Sequence, residues 1–160
     1  MKTIIVYYSM SGNTEFAARS CAEKLGAALL RIEPEKAYPD KGFKKFLWGG
    51  KSAVMAETPA LRPYDFNAED WEQVILAFPV WASSPAPPLR TFLRDHAAAL
   101  QGKRVAALAC QGGSGAEKAF AKLSAALGKP LDAAAVLIDP KDRPSADNDA
   151  KLTEFIGKCG

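Results

Sequence analysis

Short apolar runs alternate with longer helical patterns along this 160-residue chain, and no other feature constrains the fold as strongly. The alternation is typical of βαβ units, in which parallel strands are joined by crossover helices. Each apolar run is short and is bounded by turn residues or by a helical pattern, which predicts a buried strand. The predicted strands are Thr3–Tyr8, Ala28–Ile32, Gln73–Phe78, Lys103–Ala109 and Ala133–Ile138.

Four of the stretches between or after these runs have helical character. In the first, Glu15 and Arg19 stand four residues apart as an ion pair would require, and Gly26 follows where a helix C-terminus favours glycine. The second begins with two prolines, which suit the first turn of a helix. The predicted helices are Asn13–Leu25, Pro87–Leu100, Ala116–Leu127 and Ala146–Lys158.

The connection between the second and third predicted strands, residues 33–72, is unusually long. Phe43–Met55 fits a helix, although its two adjacent glycines cost roughly 1 kcal/mol each. Lysines gather in the first part and acids in the second. They are Lys36, Lys41, Lys44, Lys45 and Lys51, then Asp65, Glu69, Asp70 and Glu72. Two interpretations remain open: a solvated basic helix face beside a solvated acidic loop, or an element that docks a partner or covers an active site.

Length, charge and cysteine content restrict the class of protein. A chain of this size can bury one core, so we expect a single domain over residues 1–160. The net charge of +3 is too small for a nucleic-acid partner, and no apolar run is long enough for a membrane span or an export signal. The three cysteines, Cys21, Cys110 and Cys159, lack CxxC spacing, which disfavours disulfide and zinc frameworks and favours a cytoplasmic location.

The loop that joins the first strand to the first helix is a candidate anion site. Ligands bind at the carboxyl ends of parallel strands, and here hydroxyls, an amide, a glycine and a helix start come together. The GxxxxGK[ST] and GxGxxG patterns are absent and the loop has no Lys or Arg, so its neutral donors favour a phosphate monoester. The alternative is that the hydroxyls only cap the helix. The candidate residues are Ser9, Met10, Ser11, Gly12, Asn13 and Thr14.

Two strings in the sequence resemble a known family. Residues Tyr8–Thr14 are similar to the FMN phosphate loop of flavodoxins. Residues Phe78–Pro85 and Pro87–Leu93 resemble the PVW…PPxRxFL stretch of a flavodoxin-like subfamily, and the resemblance extends along the whole chain. It implies an α/β fold, a three-layer α/β/α sandwich around a five-stranded parallel sheet of order 2-1-3-4-5. It also implies FMN bound noncovalently at the switch between the first and third strands.

The resemblance adds two more loops to the expected FMN site. In the second, Trp81 would stack on or beside the isoalloxazine, the alternative being a tryptophan that only packs at a strand end. In the third, backbone N–H groups would bond the pyrimidine edge. The residues are Pro79, Val80, Trp81, Ala82 and Ser83, then Cys110, Gln111, Gly112, Gly113 and Gly115. The third loop lacks aromatic and acidic residues, which implies a less negative potential and space for a second planar molecule.

The implied function is electron transfer through FMN to redox partner proteins or to a planar small-molecule acceptor. Two alternatives stay open: an NAD(P)H-dependent FMN quinone reductase and an FMN-binding regulatory module. Shuttle flavodoxins are strongly acidic and use their field to find partners, so a chain of charge +3 would find its partners differently.

Other chemistries are disfavoured. A phosphatase loop requires an arginine separated from its nucleophilic cysteine by five residues, whereas Ala116 follows Cys110 at that spacing. His96, the only histidine, is expected on the surface in the middle of a helix, far from any Ser-His-Asp arrangement. No residue is predicted to act as a nucleophile, a proton donor or a metal ligand.

Overall fold

A parallel sheet of five strands forms the centre of the described part of the chain, residues 1–38 and 57–160 of a computed structural model. Its order is β2-β1-β3-β5-β6, and a two-residue strand, β4, pairs antiparallel with the end of β3. With β4 set aside, this is the predicted order 2-1-3-4-5. The strands are β1 (Thr3–Tyr7), β2 (Ala28–Arg31), β3 (Gln73–Trp81), β4 (Ser84–Pro85), β5 (Arg104–Gln111) and β6 (Ala133–Ile138).

Helices cover both faces of the sheet. Side chains alternate between the faces along each strand, so that in β1 Ile4 and Val6 point to one core cluster and Ile5 and Tyr7 to the other. The first cluster includes residues of α2 and α3, and the second includes residues of α1 and α4, which gives the expected three layers. The helices are α1 (Asn13–Leu25), α2 (Pro87–His96), α3 (Ala116–Leu127) and α4 (Ala146–Cys159), with short 3₁₀ turns at Ala68–Asp70 and Ala97–Leu100.

Helices α1 and α3 begin and end at the predicted residues. Each ends at a glycine with positive φ, Gly26 at 64° and Gly128 at 84°, whose N–H bonds a carbonyl of the last turn. Helix α2 ends four residues before the predicted boundary, because Ala97–Leu100 continue as a 3₁₀ turn. None of the helices in the two described ranges is long and apolar enough to span a membrane.

Two strands continue further into the predicted site loops than expected. Strand β3 extends to Trp81 because its end pairs with β4 across a tight turn, in which Ala82 and Ser83 have φ of 48° and 61°. Strand β5 reaches Gln111, which pairs with Ile138 of β6. Residues 79–81 and 110–111, which were predicted to lie in loops, are therefore strand residues.

The two ends of the long connection lie side by side. The N–H of Glu35 donates to the carbonyl of Ala60 at 2.8 Å, and the N–H of Arg62 donates to the carbonyl of Glu33 at the same distance. The four acidic residues of the second part are exposed, in agreement with a solvated acidic loop. The possible helix at Phe43–Met55 and four of the five clustered lysines lie outside the described residues.

The sole histidine occupies a different position from the expected one. His96 is the last residue of α2 and is only partly exposed, since the returning end of the connection packs against it. Its Nε2 lies 2.7 Å from the hydroxyl of Tyr64, and its ring contacts Phe66 and Phe92. The sequence did not reveal this contact because Tyr64 lies 32 residues away along the chain.

Candidate functional site

A cavity of about 410 Å³ opens at the carboxyl ends of the central strands. Small-molecule sites in proteins usually measure about 300–1,000 Å³, so this volume suits a ligand of cofactor size. Fifteen residues line it: Met10, Ser11, Asn13, Thr14, Pro79, Val80, Trp81, Ala82, Ser83, Cys110, Gln111, Gly112, Gly113, Ser114 and Asp139. The structure thus brings the three predicted loops together around one cavity. Ser9, Gly12 and Gly115 belong to the same loops but do not line it.

The topology explains why these loops meet. Strand β1 lies between β2 and β3. The connection after β1 therefore leads to β2 on one side of it, and the connection after β2 leads back past β1 to β3 on the other side. This reversal opens a crevice between the ends of β1 and β3, where ligands bind in open α/β sheets.

The loop after β1 is shaped by contacts to the start of α1. Ser9 is buried, and its Oγ accepts a hydrogen bond from the N–H of Glu15 at 3.1 Å. A hydroxyl that accepts one bond still has a hydrogen to donate. Gly12 has φ of 97°, and its carbonyl accepts the first helical bond from the N–H of Phe16. The N–H groups of Asn13 and Thr14 come before that bond and have no helical acceptor, so they suit an anion.

Arg31 of β2 forms a hydrogen bond with the backbone of this loop. Its Nη2 donates to the Ser9 carbonyl at 2.9 Å, and its guanidinium pairs with Glu15 and Glu33. Partial burial opposes the charged form, but the bonds to Glu33 and the charge of Glu15 outweigh it and raise the Arg31 pKa above its ordinary range. The positive charge of Arg31 is therefore shared with two carboxylates.

Asn13 has a structural task that the sequence did not reveal. Its Oδ1 accepts hydrogen bonds from the N–H groups of Lys141 and Asp142 at 2.9 and 3.1 Å. Its Nδ2 donates to Asp142 Oδ2 at 3.0 Å. The amide that was predicted as a phosphate donor therefore joins the first loop to the loop after β6.

Trp81 stands at the border of the cavity with its ring held by two tyrosines. The indole meets Tyr8 and Tyr38 edge-on, at centroid distances of 5.7 and 5.4 Å. Edge contacts of this kind stabilise an aromatic ring in one orientation. Among the cavity residues in ranges 1–38 and 57–160, Trp81 is the only aromatic one. Its stacking on a flavin stays a prediction.

Glycine at position 115 allows the loops after β3 and β5 to meet. Gly115 has φ of 104°, and a Cβ built there would lie 2.8 Å from Ser83 Oγ and 2.9 Å from Ser83 Cα. Any side chain would therefore push the two loops apart. The side chain of Gln111 accepts a bond from the N–H of Ala116 at 3.0 Å and so caps α3.

The Cys110 thiol is buried beside the cavity. Burial raises its pKa to about 12, and the charge of Asp139 acts in the same direction. The thiol is therefore protonated near neutral pH and is a poor nucleophile. This agrees with the absence of a phosphatase arginine in the sequence.

A fourth loop, after β6, also reaches the cavity, and the sequence interpretation missed it. Asp139 lines the cavity, and its Oδ2 accepts a bond from Arg143 Nη2 at 3.0 Å; the same nitrogen donates to the Gly112 carbonyl at 2.9 Å. The third loop is neutral, as expected, but the cavity contains one carboxylate. Asp139 directly follows the fifth predicted strand, and the carboxyl ends of parallel strands meet at one edge of the sheet. This position was the signal in the sequence that could have identified Asp139 as a site residue.

Together, the three layers and the cavity at the switch point define a doubly wound α/β protein with a cavity at the position where such folds bind ligands. A family model described as flavodoxin matches residues 2–145, so the chain belongs to the flavodoxin family. A sequence search among curated proteins finds no significant match.

Solved structures with the same fold include several flavoproteins. A protein from Bacteroides uniformis that is classed as a flavoprotein is 22% identical, with a TM-score of 0.78 over 98% of this chain and 97% of that one. A flavoprotein from Lactobacillus acidophilus in complex with FMN is 17% identical, with a TM-score of 0.74 over 96% and 97%. The Megasphaera elsdenii flavodoxin is 18% identical, with a TM-score of 0.61 over 98% and 96%. At these identities, the similarity shows the fold.

Proposed function

We propose that the protein binds one FMN noncovalently in this cavity and transfers electrons through it. The observation that carries the proposal is the cavity itself, at the β1/β3 switch point of a chain that belongs to the flavodoxin family. The start of α1, the ring of Trp81 and a glycine-rich loop all border the cavity. The Lactobacillus relative, whose structure contains FMN, supports the choice of cofactor.

The donor groups of the site fit a flavin phosphate. Two cavity-lining hydroxyls, those of Ser11 and Thr14, and the first N–H groups of α1 provide neutral donors for a phosphate monoester, while the buried Ser9 shapes the loop beneath them. The cavity volume of about 410 Å³ suits a ring system of flavin size. The glycines of the third loop leave backbone N–H groups free of side-chain obstruction.

Each part of the chain has a distinct task in this proposal. Bound FMN supplies one- and two-electron transfer, which is the chemistry of the cofactor itself. The first loop binds the phosphate, Trp81 orients the ring, and the loop at 111–115 faces its polar edge. Asp139 disfavours added negative charge in the cavity, and Arg143 offsets that effect because it pairs with the same carboxylate. We propose that these two side chains help to set the potential.

The FMN-binding part of the proposal is tested first, by reconstitution. The purified protein is expected to bind one FMN per chain. Thr14→Val removes a buried hydroxyl with little change of shape and should weaken FMN binding about tenfold. Thr153→Val, the same change at an exposed position of α4, is the matched control and should leave the affinity unchanged. A protein that cannot take up FMN would contradict the proposal.

The carrier part is tested with electron donors. The FMN-loaded protein is mixed with NADH or NADPH, with and without a quinone, and then with a flavoprotein reductase. A carrier should show no turnover of NAD(P)H by itself and rapid reduction by the reductase. Turnover with a quinone and no reductase would contradict the carrier and support the quinone-reductase alternative.

A further inference from the structure

The ammonium group of Lys141 lies against the first loop, where the sequence shows no cation. A Cβ built on Gly12 would lie 2.8 Å from Lys141 Nζ and 3.3 Å from its Cδ, so the lysine occupies the space beside the bare glycine. We propose that Lys141 is the cationic contact of the FMN phosphate and that it favours the phosphorylated flavin over riboflavin. This inference rests on the proposed function and adds a fourth-loop residue to the site.

The backbone holds Lys141 at this position. Its own N–H donates to Asn13 Oδ1 at 2.9 Å, which attaches it to the residue that follows Gly12. The loop is also fixed at its base, because the buried side chain of Asn148 bonds the N–H and carbonyl of Ile138 and the carbonyl of Arg143. A lysine held by its backbone loses less freedom when its side chain binds an anion.

The two arginines near the loop are paired with carboxylates, whereas Lys141 is placed to bind an incoming anion. Arg31 pairs with Glu15 and Glu33, and Arg143 pairs with Asp139. Within residues 1–38 and 57–160, the ion pairs up to 4 Å do not include Lys141. The adjacent carboxylate, on Asp142, instead accepts a bond from Asn13.

Flavin chemistry makes the expected effect selective. Riboflavin and FMN share the ring and the ribityl chain, and only FMN carries the phosphate dianion. Loss of the lysine charge should therefore weaken FMN binding and leave riboflavin binding unchanged. Because Lys141 is exposed, salt will screen the contact, and the effect should decrease as ionic strength rises.

The test compares two lysine variants with two flavins. Lys141→Gln removes the charge at the loop. Lys24→Gln removes the same charge near the other end of α1, roughly 17 Å away at the helical rise of about 1.5 Å per residue. Dissociation constants of FMN and riboflavin are measured from flavin fluorescence quenching at low and high salt.

We expect Lys141→Gln to weaken FMN binding about 5- to 20-fold at low salt and less than about threefold at roughly 0.5 M salt. Riboflavin binding should stay within about twofold in both variants, and Lys24→Gln should bind both flavins as the wild type does. Unchanged FMN affinity in Lys141→Gln, or an equal loss for both flavins, would overturn the role of Lys141 while the proposed function stands. A wild-type protein that binds neither flavin would overturn the proposed function itself.

Discussion

Substitution of Gly115 by alanine tests whether close approach of two loops builds the cavity. The glycine has φ of 104°, a region that side chains avoid, and it touches the turn at Ser83. Gly113, two residues earlier in the same loop, provides the matched control. A Cβ at position 113 would meet no atom within 4 Å, and its φ is not in the positive range.

Two effects of this substitution lower the free energy of unfolding, and one effect raises it. A non-glycine residue held at such a φ costs about 1–3 kcal/mol. A Cβ placed 2.9 Å from the Ser83 Cα must displace backbone, and overpacking of this kind costs about 1–3 kcal/mol. The alanine also reduces the conformational freedom of the unfolded chain, which raises the free energy of unfolding by about 0.4–1 kcal/mol. We therefore expect Gly115→Ala to lower the free energy of unfolding by about 3 kcal/mol, within a range of roughly 1–5 kcal/mol.

The assay is urea unfolding of the FMN-free protein, followed by FMN titration of each variant. Gly113→Ala should change the free energy of unfolding by less than about 0.5 kcal/mol and so serves as the control for stability. Gly115→Ala should lose stability and also FMN affinity, because Ser83 and its turn line the cavity. Equal stability of the two variants would refute the argument that loop contact requires glycine at 115.

Two further predictions concern stability. Burial lowers the pKa of His96 below its ordinary value. As pH falls, the unfolded chain therefore binds a proton at His96 before the folded chain does. This difference lowers the free energy of unfolding below about pH 6.5. Urea midpoints at about pH 7.5 and 5.5 should therefore differ more in the wild type than in His96→Phe; an equal difference would contradict this. Asn148→Ala leaves three partly buried backbone groups of Ile138 and Arg143 unpaired and should cost about 2–4 kcal/mol, with faster amide exchange in residues 139–143. Unchanged exchange there would contradict its anchoring role.

Local signals in the sequence predicted the strands and most helix ends, and the resemblance to flavodoxins implied the three layers and the strand order. Helices α1 and α3 were bounded correctly because Gly26 and Gly128 stop them through their own backbone freedom. The turn after β3 could not be predicted, since Ala82 and Ser83 adopt positive φ without a glycine or asparagine to signal it. The pairing of β4 with β3 and the packing of Gly115 against Ser83 fix this turn, and both are contacts that a local pattern does not show.

The candidate site was predicted as three loops and contains four. The first loop could be predicted as an anion site because its hydroxyl residues are neighbours in the sequence. Lys141 and Asp139 were missed because their loop reaches the site through contacts such as that of Asn13 with Lys141, 128 residues apart. Side-chain contacts over such separations follow from the packing of α4 and β6 against the sheet, which a local pattern does not encode.

Backbone NMR during titration with FMN tests the central claim most directly, because it reports both binding and its location. The account predicts saturation at one FMN per chain, with amide shift changes concentrated in residues 9–14, 79–83, 110–115 and 139–143. The exposed face of α4 should stay unchanged. Absence of saturable binding, or shift changes centred away from these four loops, would contradict the account.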